Sequence, residues 1–416
     1  RWAHFVEASQ SLCLFSLFRS RHRDGMALFD MTLPASRDRT RVHTYLLAGR
    51  LLLARQLGQR DDALANVPAL RARLATTTKP ADQAYCRLML GQAIGLDPAR
   101  GGEALQMLNG AERYYHEVGE PFYNALASWR KAAVYAVDDR RQDMLAVWQR
   151  ALELARSAGD RYVASWMLHN LGTVTFQWEG PTESAERLLL EAVNGSKELG
   201  TKALRANSLA GLSFVVAGRH DDPGRAMPLL EQAIAVADAQ DVPYIQAQLL
   251  AQQALYRLGQ KHYQACLELT EEVLSLAEPG SFTWANAWAI RGTVWLTKDD
   301  FNRALASMRR VLQAWVTDPR LAILDQYLPY VGLLLAHGGR DRLATEVLAC
   351  SRACHKLVLT LELDHQLPQL QRQLEQKLGP EAFVAAWERG RSLGPLALAE
   401  RALAALESGV SGPASH

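Results

Sequence analysis

Two thiols one helical turn apart are the nearest thing to a metal site in this sequence. Cys350 and Cys354, with His355 beside the second, stand at i and i+4, which would place both sulfurs on one helix face within reach of a soft ion. No second ligand pair accompanies them, so Cys350 is expected to fill a core slot and Cys354-His355 to end a helix. His169, next to Asn170, could face a groove or act as a hydrogen-bonded structural histidine. Trp284, Trp288, Trp295 and Trp315 have the composition of a base-stacking platform, but their helical phase predicts core. Arg19, Arg21, Arg23, Arg37, Arg39 and Arg41 could meet DNA or an acidic domain upstream; Asp24, Asp30 and Asp38 are interleaved with them, which predicts a solvated segment. The sequence has no G-x-x-x-x-G-K-[ST] loop, no G-x-G-x-x-G and no H-E-x-x-H. The expectation is therefore a non-enzyme, with no catalytic residue, no metal ligand and no cofactor.

The totals narrow the field further. Among 416 residues, 49% are apolar and 22% charged, which is enough apolar material for a large buried core. With 46 basic and 44 acidic side chains the net charge is only +2, so bulk charge gives no reason to expect direct binding to nucleic acid or to a membrane surface. Five scattered cysteines fit reduced thiols and predict a cytoplasmic protein. No apolar run approaches the roughly 18 to 20 residues that a membrane helix needs. The sequence opens on Arg1 and reads as helix from Trp2, with no signal-peptide regions, which predicts that the chain begins inside a longer protein.

The elements that must position any site follow from a repeat. A small residue opens an apolar helical pattern at Ala63, Ala104, Ala146, Ala185, Ala226, Ala265, Ala304 and Ala344, at intervals of 41, 42, 39, 41, 39, 39 and 40. In the clearest unit, Trp288, Gly292 and Trp295 share one face of a first helix, and Asp299-Asp300 supply a turn and N-cap. Phe301, Ala304, Leu305, Met308, Val311, Leu312 and Trp315 then form the stripe of a second helix. Gly292 and Ala304 are small where two antiparallel helices should come closest, at axial distances of roughly 8 to 10 Å. Gly91, Gly172, Gly211 and Gly332 recur in the same phase, and Gln253 departs from it. Gly119-Glu-Pro121, Gly159-Asp160, Gly200-Thr201, Gln240-Asp-Val-Pro243 and Glu278-Pro-Gly280 punctuate the units.

This pattern resembles tetratricopeptide repeats, with units near 40 residues rather than the usual 34. It predicts an all-α, right-handed superhelical α-solenoid of about eight to nine helix-pair repeats with C-terminal capping helices. Residues 1–41 should form a degenerate N-terminal pair, from helices at Trp2 to Phe18 and Gly25 to Met31, and 42–356 about eight repeats. Residues 357–407 should form the capping helices, at Glu362 to Leu378, Glu381 to Arg389 and Pro395 to Glu407, and 408–416 a disordered tail.

First helices of such repeats line the concave side, where Arg130, Trp166, His169, Thr173, Arg205, Arg257, Asn286 and Gln326 are expected to face a ligand. Their mix of aromatic and cationic groups suits a peptide, an acidic protein segment or a polar small inducer. Asn170, Asn207 and Asn286 fall at different phases, so the carboxylate clamp of chaperone-binding repeats is not expected. Gly379-Pro-Glu-Ala-Phe383 through Trp387, Gly390, Leu393, Ala397 and Ala402-Leu403 is similar to the closing segment of the helical arm in bacterial signal-transduction ATPases with numerous domains. Trp2-Ala-His-Phe5 through Phe18-Arg-Ser-Arg21 resembles the start of that arm. The resemblance implies a sensor arm that captures an inducer or a protein for an upstream ATPase, often in transcription regulation. A free-standing scaffold that joins proteins is the alternative.

Overall fold

The computed structural model describes residues 2–408 apart from 20, 58, 96, 138–139, 238–242 and 353–360. Cys354, His355 and the tail expected over 409–416 lie outside the described residues. Among the described residues the regular structure is wholly helical: 22 α-helices and four short 3-10 segments.

An opening pair, α1 (Trp2–Phe18) and α2 (His22–Thr32), precedes α3 (Thr40–Gln56), α4 (Arg60–Ala65), α5 (Val67–Thr76), α6 (Pro80–Ile94) and α7 (Gly101–Glu117). Three pairs run through α8 (Pro121–Val137), α9 (Arg141–Ser157), α10 (Arg161–Glu179), α11 (Glu183–Leu199), α12 (Lys202–His220) and α13 (Pro223–Val236). The next two comprise α14 (Pro243–Gly259), α15 (Tyr263–Leu276), α16 (Phe282–Thr297) and α17 (Phe301–Thr317). The last pair, α18 (Leu328–His337) and α19 (Asp341–Ser351), is followed by α20 (Leu367–Leu378), α21 (Pro380–Ser392) and α22 (Pro395–Ser408). First helices pack along their own second helices, as α6 does on α7, α8 on α9, α10 on α11, α16 on α17 and α18 on α19. The fold is a tetratricopeptide-like stack of helix pairs.

Local chemistry explains the boundaries. Gly119, Gly159, Gly200 and Gly280 hold left-handed backbone between units, φ +72°, +68°, +68° and +81°, where a Cβ would be strained. Asp160 caps α10 by accepting from the Tyr162 and Val163 amides, Thr182 caps α11, and Asp300 caps α17 by accepting from Arg303 N at 3.1 Å. The second helix of the first repeat is broken into α4 and α5 at Asn66. Pro68 has no amide hydrogen, and its ring collides with the carbonyl four residues back.

The chain forms two compact units, Arg1–Val215 with Glu231–Ile245, and Val216–Leu230 with Gln246–His416. In the first, a continuous core runs from Val6 through Ala48, Leu90, Leu108, Ala151 and Val163 to Ala192. Its small residues set helix separation. A Cβ on Gly91 would lie 2.7 Å from Leu108, and one on Gly172 would lie 2.7 Å from Leu189 Cγ and 3.2 Å from Leu189 N. Gly211 instead meets Leu189 and Thr173, so it spaces neighbouring units. Ala63, Ala104 and Ala185 are buried at the corresponding second-helix positions.

Ala146 does not occupy that position. It is exposed, and Met144, four residues after the α9 N-cap as Ala104 is in α7, takes its place. Two residues of helix rotate a side chain through roughly 200°, so choosing the alanine by type put it on the wrong face.

Within the second unit, Ala226, Ala304 and Ala344 are buried, whereas Ala265 is half-exposed and Cys266 fills the slot one residue on. Gly292 faces Met308, and Gly332 faces Leu348. Of the tryptophans expected in the core, only Trp315 is fully buried. Trp284, Trp288 and Trp295 are half-buried, with Arg310 lying 4.0 Å over the Trp288 ring and Arg303 lying 4.7 Å over Trp295. Their phase brings one ring edge to the core and leaves a face for a guanidinium. Helices α21 and α22 pack on α19 and α17. Gly390 lets the α21 backbone touch α19 at Glu346, whose buried carboxylate pairs with Arg401 and, at 3.8 Å, with Arg389.

The two glycine contacts differ in what a methyl group would strike. Gly172→Ala meets Leu189 backbone and branched carbon and should cost about 1–3 kcal/mol. Gly292→Ala meets only the flexible Met308 side chain, so a helix-propensity gain of up to about 1 kcal/mol should leave it neutral or slightly stabilised. Urea midpoints test the pair, and equal losses would contradict the assigned packing.

Candidate functional site

Three first helices of the first unit, α8, α10 and α12, present neighbouring side chains. The Trp129 and Trp166 rings stack at 5.2 Å, joining α8 to α10. The Arg130 guanidinium lies 4.1 Å over Trp129, and Arg130 is buried, which holds a cation against an aromatic face. Across the other edge of α10, His169 Nδ1 and Ser208 Oγ are 3.3 Å apart, joining it to α12. That pairing offsets the two helices by 39 residues, so Arg205 stands level with Trp166. Arg205 makes no ion pair among the described residues, and its buried Nε has no hydrogen-bond partner. The result is a row of Arg130, Trp129, Trp166 and Arg205 across three helices.

A cavity of about 350 Å3 opens at the far end of α10, lined from α9 by Arg141, Met144 and Trp148 and from α10 by His169, Asn170, Thr173, Val174, Gln177 and Trp178. The Trp148 indole N–H and the Thr173 hydroxyl are buried there without hydrogen-bond partners among the described residues. Arg141 lies 5.4 Å over the Trp178 ring. Trp166 and His169 meet edge to face at 5.7 Å, so row and cavity share one helix face.

Of the eight residues read from the sequence, Arg130, Trp166, His169, Thr173 and Arg205 belong to this face. Arg257, Asn286 and Gln326 belong to the second unit, where Arg257 donates to Gln260 at 3.0 Å and Asn286 Oδ1 accepts from the Tyr327 hydroxyl at 2.6 Å. Gln326 stands in the 3-10 segment Pro319–Tyr327 and not on the regular first helix that its expected role required. Trp129, Trp148, Trp178 and Arg141 were missed. Trp129 carries a signal as the aromatic immediately before Arg130; Trp148 and Arg141 carry none, because they stand on a second helix. In the basic N-terminal segment, Arg21 pairs with Asp24 at 2.8 Å, and Arg41 joins buried Asp82, which also accepts from Tyr45. No cluster of metal-binding residues occurs among the described residues, and no described helix is long and apolar enough to cross a membrane.

Burial also changes the charge of the site. Desolvation lowers the His169 pKa from 6.5 to about 4, so it is neutral at neutral pH and adds no cation to the site. His22 is lowered in the same way.

The helix pairs and this face define a class: an all-helical tetratricopeptide-like repeat protein. Among solved structures it is similar to the quorum sensor NprR from B. thuringiensis in its apo form, at 12% identity and TM-score 0.50, over 87% of this chain and 97% of that one. NprR in complex with its cognate peptide NprX matches at 14% identity and TM-score 0.51, over 69% of this chain and 82% of that one. The likeness establishes the fold. No family model and no curated protein sequence matches the chain.

The neutral histidine gives a pH test. Unfolded chain protonates His169 below about 6.5 and folded chain only near 4, so its contribution is full above 6.5 and is lost as pH falls toward 4. Wild type should lose on the order of 1–3 kcal/mol more stability than His169→Asn between those pH values. Matching urea curves for both proteins at every pH would refute a neutral, desolvated His169.

Proposed function

We propose that this chain is a non-catalytic sensor that captures a peptide or an extended protein segment on the first-helix face of its first unit. The observation that carries this reading is the row of Trp129, Trp166 and the two arginines, in which Arg205 carries a buried donor with nothing to accept from it. A buried unpaired donor costs about 1–3 kcal/mol, which a ligand carbonyl or carboxylate would recover on binding. The fold likeness to a sensor solved with its cognate peptide supports the same choice of ligand.

The resemblance of the first and last segments to signal-transduction ATPase arms extends the reading. The chain would be the cytoplasmic sensor arm of a regulator whose effector, an ATPase, lies upstream, with transcription as its output. Ligand capture shifts such an arm only if the ligand binds one of its states more tightly than the other.

Reversing both arginines, Arg130→Glu and Arg205→Glu, should lower retention of a mixed peptide pool on the immobilised chain by about tenfold or more while helicity by circular dichroism is kept. Undiminished retention by the folded double variant would remove this face from the site.

A further inference from the structure

We propose that this face reads a specific short pattern: a carboxylate held at the Trp166 and Arg205 row, and a bulky apolar side chain about five residues away, seated between Trp148 and Trp178. The proposal rests on the peptide reading above and adds what kind of peptide is bound.

The two ends of α10 have different chemistry. At the row the available groups only donate, since neither an indole N–H nor a guanidinium can accept a hydrogen bond. Arg205 Nε is buried and unpartnered, and Arg130 brings a second cation to the same row, stacked on Trp129. Donors and positive charge together select an anionic acceptor, and a carboxylate matches a guanidinium in shape as well as charge. At the cavity the apolar part of the wall is Met144, Trp148, Val174 and Trp178, beside the polar Arg141, His169, Asn170, Thr173 and Gln177, and its volume of about 350 Å3 lies within the usual range for ligand pockets, roughly 300–1,000 Å3. The Trp148 N–H and the Thr173 hydroxyl remain to bind the peptide backbone or a phenol at its mouth. An aromatic or large aliphatic residue is the group that fits there.

The spacing follows from helix geometry. Trp166 and Gln177 are 11 residues apart on α10, about 16 Å at roughly 1.5 Å per residue. An extended peptide covers that distance in about five residues at roughly 3.3–3.6 Å each. The carboxylate could be an Asp or Glu side chain or the peptide's own C-terminus.

The test is affinity selection on the intact chain from a randomised heptapeptide library made in two forms, with free and with amidated C-termini. The expected result is enrichment of an aromatic or leucine residue four to six positions from an acidic residue, or from the C-terminus in the free-acid arm alone. Arg205→Gln should erase the acidic preference and keep the apolar one; Arg205→Lys should retain both. Thr173→Phe, which fills the cavity mouth, should erase the apolar preference and keep the acidic one. Peptides retained without either preference, or with preferences that neither Arg205→Gln nor Thr173→Phe alters, would overturn this proposal and leave peptide capture standing. Retention of no peptide above matrix background would overturn both.

Discussion

Everything in this molecule depends on how closely two helices of one unit can approach. At Gly172 the α10 backbone lies so near Leu189 that a single methyl group would collide with it, and Ala185 is fully buried beside the same contact. A helix pair closed this tightly leaves one face for its own partner and one for the next unit, so the remaining face of the first helix is turned outward. Repetition at about forty residues then sets like faces side by side. The stack of Trp129 on Trp166 and the pairing of His169 with Ser208 are consequences of that spacing. The proposed binding face is thus a by-product of the packing rule, decorated with arginine and tryptophan.

The end of the opening helix also makes contacts far along the chain in the first unit. Phe18, at the end of α1, lies 4.1 Å from the Tyr162 ring and 6.0 Å from Phe122, and Arg19 donates to the Leu199 carbonyl at 3.5 Å. A cation at a helix C-terminus also complements the partial negative charge there. The opening helix therefore packs on α3 along its length and reaches the starts of α8 and α10 with its last turn.

Most of the fold was legible because its determinants are local. Glycine past the ends of α7, α9 and α11, proline or an acceptor residue at the starts of α6, α8, α10 and α11, and an apolar stripe at helical period all act within a few residues. The errors came where residue type was read in place of helix face. Ala146 was chosen for being alanine, while the α9 N-cap at Arg140 points to Met144. Cys266 was passed over for Ala265 in the same way. The binding face was less legible, because the stagger between neighbouring first helices depends on packing across units. Arg130, Trp166 and Arg205 could each be picked as groove-facing, but that Arg205 and Trp166 share a row follows only once His169 is seen against Ser208. The cavity was invisible for a different reason: a third of its lining residues come from a second helix, α9, whose Trp148 looks like ordinary core.

The most direct measurement is amide hydrogen exchange of the intact chain with and without a saturating heptapeptide drawn from the affinity selection. The account predicts slowed exchange concentrated in α8, α10, the 202–215 part of α12 and the first two turns of α9 that wall the cavity, with α11 changed much less, because the ligand lies along the first helices and seats one side chain against α9. Protection confined to α11 and α7, or spread evenly over the chain, would contradict a binding face built from α8, α10 and α12.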